Sequence, residues 1–252
     1  MSKKLDFYIE DGILQAYEGR GGVVVVPDGV TFIGNEAFAE CKKLKEIIIP
    51  ESVTAIGEEA FFLCTGLKSV TIKSPEIGIG FMAFCGCKRL KNLSLPDGVT
   101  EIGESAFAGC KALADEKGFI IVNGILFDYI GKEKNVVVPD GVRVIGRSVF
   151  YNAPNPFTGK KQKTDVESVS LPESVIKICP YAFYKCAELK NINIPGGLRK
   201  AWKCSFAGCD RLPDLRLPEE ILQEDPNSER FALDGDEYCD QDNSDNHNNT
   251  EE

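Results

Sequence analysis

The feature that most restricts this chain is a period. GNEAFAECKKLKEIIIP starts at residue 34, and GEEAFFLCTGLKSVTIK, GFMAFCGCKRLKNLSLP and GESAFAGCKALADEKG start at 57, 80 and 103, each 23 residues further on. Gly34, Gly57, Gly80 and Gly103 form one row, Phe38, Phe61, Phe84 and Phe107 a second, and Cys41, Cys64, Cys87 and Cys110 a third. A unit this short cannot enclose a core alone, so copies must stack and cover one another's apolar faces, which makes a solenoid. The register returns in PDGVRVIGRSVFYNA, PESVIKICPYAFYKC and PGGLRKAWKCSFAGC from Pro139, Pro172 and Pro195, giving seven coils between Pro27 and Leu217. Pro139 and Pro172 stand 33 residues apart, and the ten extra residues fall in PNPFTGKKQKTD, whose Pro, Gly and Lys content reads as a loop.

Two patterns share each coil. LKEIII, LKSVTI, LKNLSL, LKNINI and LPDLRL turn every second residue inward, as with Ile47 and Ile49, which predicts a strand. Ahead of it, Ile33, Ala37, Phe38 and Cys41 recur at helical spacing, which predicts a helical turn or two on the other wall. The expected class is thus an α/β solenoid of seven 23-residue coils, with a parallel sheet on one wall and short helical turns opposite. Two alike segments, FYIEDGILQAYEGRGGVVVVPDG from Phe7 and FIIVNGILFDYIGKEKNVVVPDG from Phe119, interrupt it. In them Asp11-Gly12 and Asn123-Gly124 predict two-residue β-hairpins, since that turn needs positive φ at both central positions. The chain reads as a hairpin with four coils followed by a hairpin with three, spanning 1–218, and an acidic tail at 219–252 expected to be disordered.

With these residues in place, LKEIIIPESVTAIGEEAFFLC and the DGIL and NGIL hairpins resemble the BspA-like leucine-rich repeats over residues 5–218. Leu44, Ile47 and Ile49 supply the LxxLxL shared with leucine-rich repeats at large. The resemblance implies an interaction surface built from repeats, and members of the family are often secreted or surface adhesin-like proteins. The chain departs from the pattern at KSPEIGIG, where the usual Pro is shifted, at Ala153 in the Cys row, and at Cys179 and Trp202 in the Gly row.

Little in the sequence points to chemistry. Six of the ten cysteines, at 41, 64, 87, 110, 186 and 209, occupy one repeat position beside Phe, where a thiol acts as a small buried hydrophobe. Stacked rungs aim equivalent side chains in parallel, a poor geometry for disulfides. Neither Cys85-Gly86-Cys87 nor Cys204 with Cys209 has a second pair at zinc-finger spacing or a nearby histidine, so no metal site and no cofactor are expected. The one histidine, His247, lies in the tail, which removes Cys-His and Ser-His arrangements from the body. No phosphate-binding GxxxxGK loop or dinucleotide fingerprint occurs. The expected class is a non-enzymatic interaction module with a protein partner, with no catalytic residue.

Two surfaces are candidates for contact. The outward strand residues form a small, polar sheet face whose hydroxyls and amides suit a peptide or, as in a surface adhesin, a host protein or glycan: Ser69, Thr71, Asn92, Ser94, Ser168, Ser170, Asn191, Asn193 and Arg216. Just before the strands runs a basic edge of Lys42, Lys43, Lys45, Lys68, Lys88, Arg89, Lys91 and Lys111, while acids such as Asp28, Glu51 and Asp97 gather at the coil starts. The net charge of -10 belongs to the tail, because residues 219–252 hold 13 carboxylates against the single base Arg230. The basic edge suits an anionic polymer, and the tail is expected to visit it and compete. MSKKLDFYIEDG lacks a signal-like apolar run and no segment approaches the roughly 18 apolar residues of a membrane span. A cytoplasmic location is expected, or a secreted or surface one if a leader has been removed.

Overall fold

The computed structural model describes residues 6–151, 165–212, 215 and 217–224; most of the PNPFTGKKQKTD insertion, Arg216 and the chain from 225 onward lie outside them. The period becomes a solenoid whose coils stack with identical residues in register. On one wall the strands Gly22–Val25, Leu44–Ile49, Ser69–Ile72 and Asn92–Ser94 pair in parallel. In the second module Asn135–Val137, Ser168–Ser170 and Asn191–Ile192 do the same. Inward side chains such as Ile47, Ile49, Val70 and Val169 are buried, and the alternate positions face solvent.

A second wall is also a sheet. Phe32–Ile33, Ala55–Ile56, Glu76–Ile79 and Gly98–Ile102 form a parallel ladder, as do Val144–Ile145 and Lys177–Ile178. Each hairpin heads one of these ladders. Phe7–Glu10 pairs antiparallel with Ile13–Tyr17 across Asp11 and Gly12, at φ 49° and 78°, and Phe119–Val122 with Ile125–Tyr129 across Asn123 and Gly124, at φ 49° and 73°. The second strand of each hairpin then pairs in parallel with the first short strand of its module. The hairpins are therefore the first rungs of the stack rather than insertions beside it.

The expected helical turns do not form. Among the described residues helix is confined to three short 3-10 stretches, Lys111–Leu113, Lys203–Phe206 and Glu219–Ile221. Where helix was expected, hydrogen bonds alternate in direction. Ala37, Ala39 and Cys41 donate three residues back along the chain, whereas Glu36, Phe38 and Glu40 donate to Glu58, Ala60 and Phe62 of the next coil, at 2.7–2.9 Å. That alternation needs left-handed residues, and they recur with the repeat: Glu36, Glu59, Met82 and Ser105 at one position, and Glu40, Leu63, Gly86 and Gly109 at another. Positive φ twice per coil ends any helix before it can propagate.

Four rows hold the stack together. Phe38, Phe61 and Phe84 are fully buried and stack at ring-centroid distances of 4.9 Å. Phe150, Phe183 and Phe206 repeat this at 4.9 and 5.0 Å. From Cys64 on, the thiols of the Cys row donate to the Phe carbonyl one coil back, Cys64 to Phe38 at 3.0 Å, Cys87 to Phe61 at 3.2 Å and Cys110 to Phe84 at 3.1 Å. The glycine row exists for close approach, since a Cβ on Gly80 would meet Gly57 C at 2.7 Å and one on Gly103 would meet Gly80 C at 2.5 Å. The modules join where Phe107 meets the edge of Phe127 at 5.4 Å and Arg147 pairs with Glu104 at 2.9 Å. At the far end Leu222–Gln223 pairs with Ala201–Trp202, so the stack gains a rung beyond the expected boundary at 218.

Candidate functional site

The sheet face is assembled by register. Val23, Glu46, Ser69 and Asn92 line up across the first module, and Val25, Ile48, Thr71 and Ser94 form the row beside them. Asn135, Ser168 and Asn191 line up across the second, with Val137 and Ser170 paired beside them. All the predicted face residues among these lie on the solvent side, Ser69 and Ser168 half-buried and the rest exposed. Arg216 lies outside the described residues.

In the second module the face becomes a concavity. A shallow trough of about 680 Å³ runs over Ser168, Ser170, Asn191 and Asn193, walled by Lys190, Leu212 and Leu215. A second hollow of about 620 Å³, lined by Asp115–Phe119 and Tyr129–Glu133, lies on the other side of the Asn135–Val137 strand, and the two share that strand. The second hollow exists because the sheet is interrupted between Asn92–Ser94 and Asn135–Val137. There Asp115 turns the chain away, its carboxylate accepting the Lys117 and Phe119 N–H groups at 2.9 Å.

The polar groups in the trough are not equally available. The Ser168 hydroxyl donates to Asn135 Oδ1 at 2.7 Å, which fixes that amide. Asn193 accepts the Leu171 N–H at 2.7 Å and donates back to the Leu171 carbonyl at 2.8 Å, sealing the strand end with both ends of its amide. Ser170 and Asn191 are left as the polar centre. Sequence reasoning missed the apolar part of the face: Val23, Val25 and Val137 are 63%, 56% and 66% exposed. A signal existed, because VVVVP before Pro27 precedes IIIP before Pro50 by the same 23 residues, but reading it as hairpin tail hid its outward valines.

The basic edge divides in two. Lys45, Lys68 and Lys91 occupy one row, with Lys68 N–H bonded to the Lys45 carbonyl at 2.7 Å and Lys91 N–H to the Lys68 carbonyl at 3.1 Å. The same row in the second module reads Lys134, Glu167, Lys190, joined by equivalent backbone bonds at 2.7 and 2.8 Å. Glu167 bridges both lysines at 2.8 Å, and hydrogen bonding to Lys134 and then Lys190 lowers its pKa to about 2. Lys42, Lys43, Arg89 and Lys111 are exposed on the adjoining turns, with Lys88 half-buried among them. A separate cluster that the sequence did not announce lies on the second module's turns, where Tyr151 and Tyr184 stack at 5.7 Å and Arg147 sits 5.2 Å over Tyr181.

The thiols differ along the row, since a hydrogen bond with Cys186 lowers the pKa of the half-buried Cys209. Burial holds Cys64 and Cys87 far above the usual thiol range and pushes Cys179 up to about 11, so these thiols stay protonated. Among the described residues no group of three or more His, Cys, Asp or Glu is placed to hold a metal, and no helix is long and apolar enough to cross a membrane.

The chain is similar in structure to the T. pallidum leucine-rich repeat protein, at 28% identity and a TM-score of 0.44, over 80% of this chain and 83% of that one. It is also similar to a leucine-rich repeat protein from Bacteroides ovatus, at 25% identity and 0.44, over 88% and 58% of the two chains. A leucine-rich cell surface protein from Faecalibacterium prausnitzii shares 20% identity at 0.31, over 88% and 91%. No curated protein matches the chain. The BspA type leucine rich repeat region matches in 6 copies over residues 22–117 and 161–228, and the chain belongs to that family.

Proposed function

We propose that this protein is a non-enzymatic interaction module that holds an extended segment of a protein partner in the trough of the second module. The observation that carries the reading is the concavity itself, about 680 Å³ laid along in-register strands with Ser170 and Asn191 at its centre. Val137 beside them supplies exposed apolar contact where the rest of the face offers hydroxyls and amides. A wall of parallel strands presents equivalent groups every ~4.8 Å, a spacing that suits a partner backbone lying across the rungs. The family is one of repeat-built interaction surfaces, which supports a binding role over a catalytic one.

The test is selection of peptides against the whole chain from a displayed library, followed by binding to Val137→Asp and Asn191→Arg. Both variants change exposed side chains and should leave the fold intact while weakening the selected peptides at least tenfold. Unchanged binding by both variants would remove the trough as the site.

A further inference from the structure

On the outward sheet wall, one row of charged residues is left without a counter-charge among the described residues. Lys45, Lys68 and Lys91 stack through adjacent backbone bonds, and among the described residues none of the three forms an ion pair. Parallel rungs set these lysines ~4.8 Å apart at the backbone, within one another's repulsion. The corresponding row of the second module avoids that repulsion by placing Glu167 between Lys134 and Lys190. The single acid on the neighbouring outward row of the first module is Glu46, flanked in register by Val23 and Ser69. A three-lysine ladder is therefore kept where the same fold shows an acidic middle residue to be accommodated.

The chain carries its own complement. Residues 225–252 hold ten carboxylates against Arg230 alone. We infer that this acidic segment folds back on the first module and lies along the ladder of Lys45, Lys68 and Lys91. Reach permits it. From the last rung, Leu222–Gln223, to the ladder is six to nine rungs, or roughly 30–45 Å at ~4.8 Å per rung. The 28 residues from 225 to 252 are long enough, since a random chain of that length spans about 30 Å on average and a fully extended one about 90 Å. A linker whose natural span approaches the distance gives a high effective concentration, so individually weak ion pairs can add to a populated contact. Several nearer cations already have partners: Lys134 and Lys190 are satisfied by Glu167, Lys203 pairs with Glu224 at 2.5 Å, Arg211 pairs with Glu188, and Lys177 and Lys200 lie over the Trp202 ring at 5.4 and 4.8 Å. A segment on the ladder would lie beside the Ser69 and Asn92 row and shield the first module's face, leaving the second module's trough open. This contact stands on charge and reach and does not depend on what the trough binds.

The full chain tests it by zero-length carbodiimide cross-linking, in which an activated carboxylate forms an amide with a lysine amine, with the linked peptides mapped by mass spectrometry. Mixed light and heavy isotope-labelled chains separate links within one molecule from links between two. At low salt, links from 225–252 should concentrate on Lys45, Lys68 and Lys91, within one chain. They should vanish near 1 M salt, where the screening length falls to about 3 Å. Lys68→Glu should lower the links to Lys45 and Lys91 several-fold while its melting curve remains cooperative. Links that are absent at low salt, reach Lys134 and Lys190 as often, run mainly between chains, or persist unchanged in Lys68→Glu would overturn the inference.

Discussion

At the scale of single residues, the rows are imposed by neighbours one coil away. Glycine at 80 is required by the backbone of the preceding coil, which a Cβ would approach to 2.7 Å. Gly80→Ala should cost about 1–3 kcal/mol, the range for forced overpacking, measured as a fall in the urea midpoint. The thiols differ by burial. Cys41, Cys204 and Cys209 are half-buried, while Cys64, Cys85, Cys87, Cys110, Cys179 and Cys186 are buried. Alkylation of the native protein should therefore modify those three first among these nine, and the other six only as fast as the chain opens; equal rates for all would contradict the packing. The thiol row was legible from its repetition. Its partner was not, because the Phe carbonyl that receives the thiol lies 26 residues back for Cys64, Cys87 and Cys110 and 36 back for Cys186, beyond the reach of local pattern.

At the scale of the element, the turn wall shows why spacing misled. Ile33, Ala37, Phe38 and Cys41 sit where a helix would put them, but the hydrogen bonds of Glu36, Phe38 and Glu40 go to the next coil. A repeated left-handed residue is strained unless it is glycine, and glycine already stands at the equivalent positions 86, 109 and 208. Glu40→Gly should thus stabilise the fold by up to about 1 kcal/mol, seen as a higher melting temperature. The charge rows yield a paired expectation. Lys68→Glu recreates the second module's alternation in the first and should stabilise it by about 0.5 kcal/mol at low salt, whereas Glu167→Lys should destabilise; both effects should shrink in high salt. Glu167 also sets a pH window. Its folded pKa is depressed to about 2 from 4.5, so its contribution is present above the unfolded value and is lost as pH falls through that interval. Acid titration of Glu167→Gln alongside the parent should show their melting temperatures converging below pH ~3.

For the whole molecule, stability is a sum over rungs and the contacts between them. The two modules have largely separate cores, joined by Phe107 against Phe127 and by the Arg147–Glu104 pair. Phe127→Ala with Glu104→Gln should loosen this joint and split one calorimetric transition into two; a single sharp transition would show that coupling spreads over other residues. The joint is also where the outward sheet is broken, and the break shapes the hollow beside Asn135–Val137.

The sequence by itself determined the solenoid, its two-module division, the hairpin turns and which strand residues face out, because each of these follows from a period that every copy restates. It also placed the lysines along one edge. Tertiary structure alone decided that the second wall is a sheet, that Asn193 is committed to Leu171, that Glu167 neutralises one lysine row while the other stands bare, and that the face hollows in the second module. Those outcomes depend on which atoms of one coil meet the next. A repeat reports the coil, but the bond between coils is made by residues 19 to 36 positions apart, and its geometry appears only when the stack is closed.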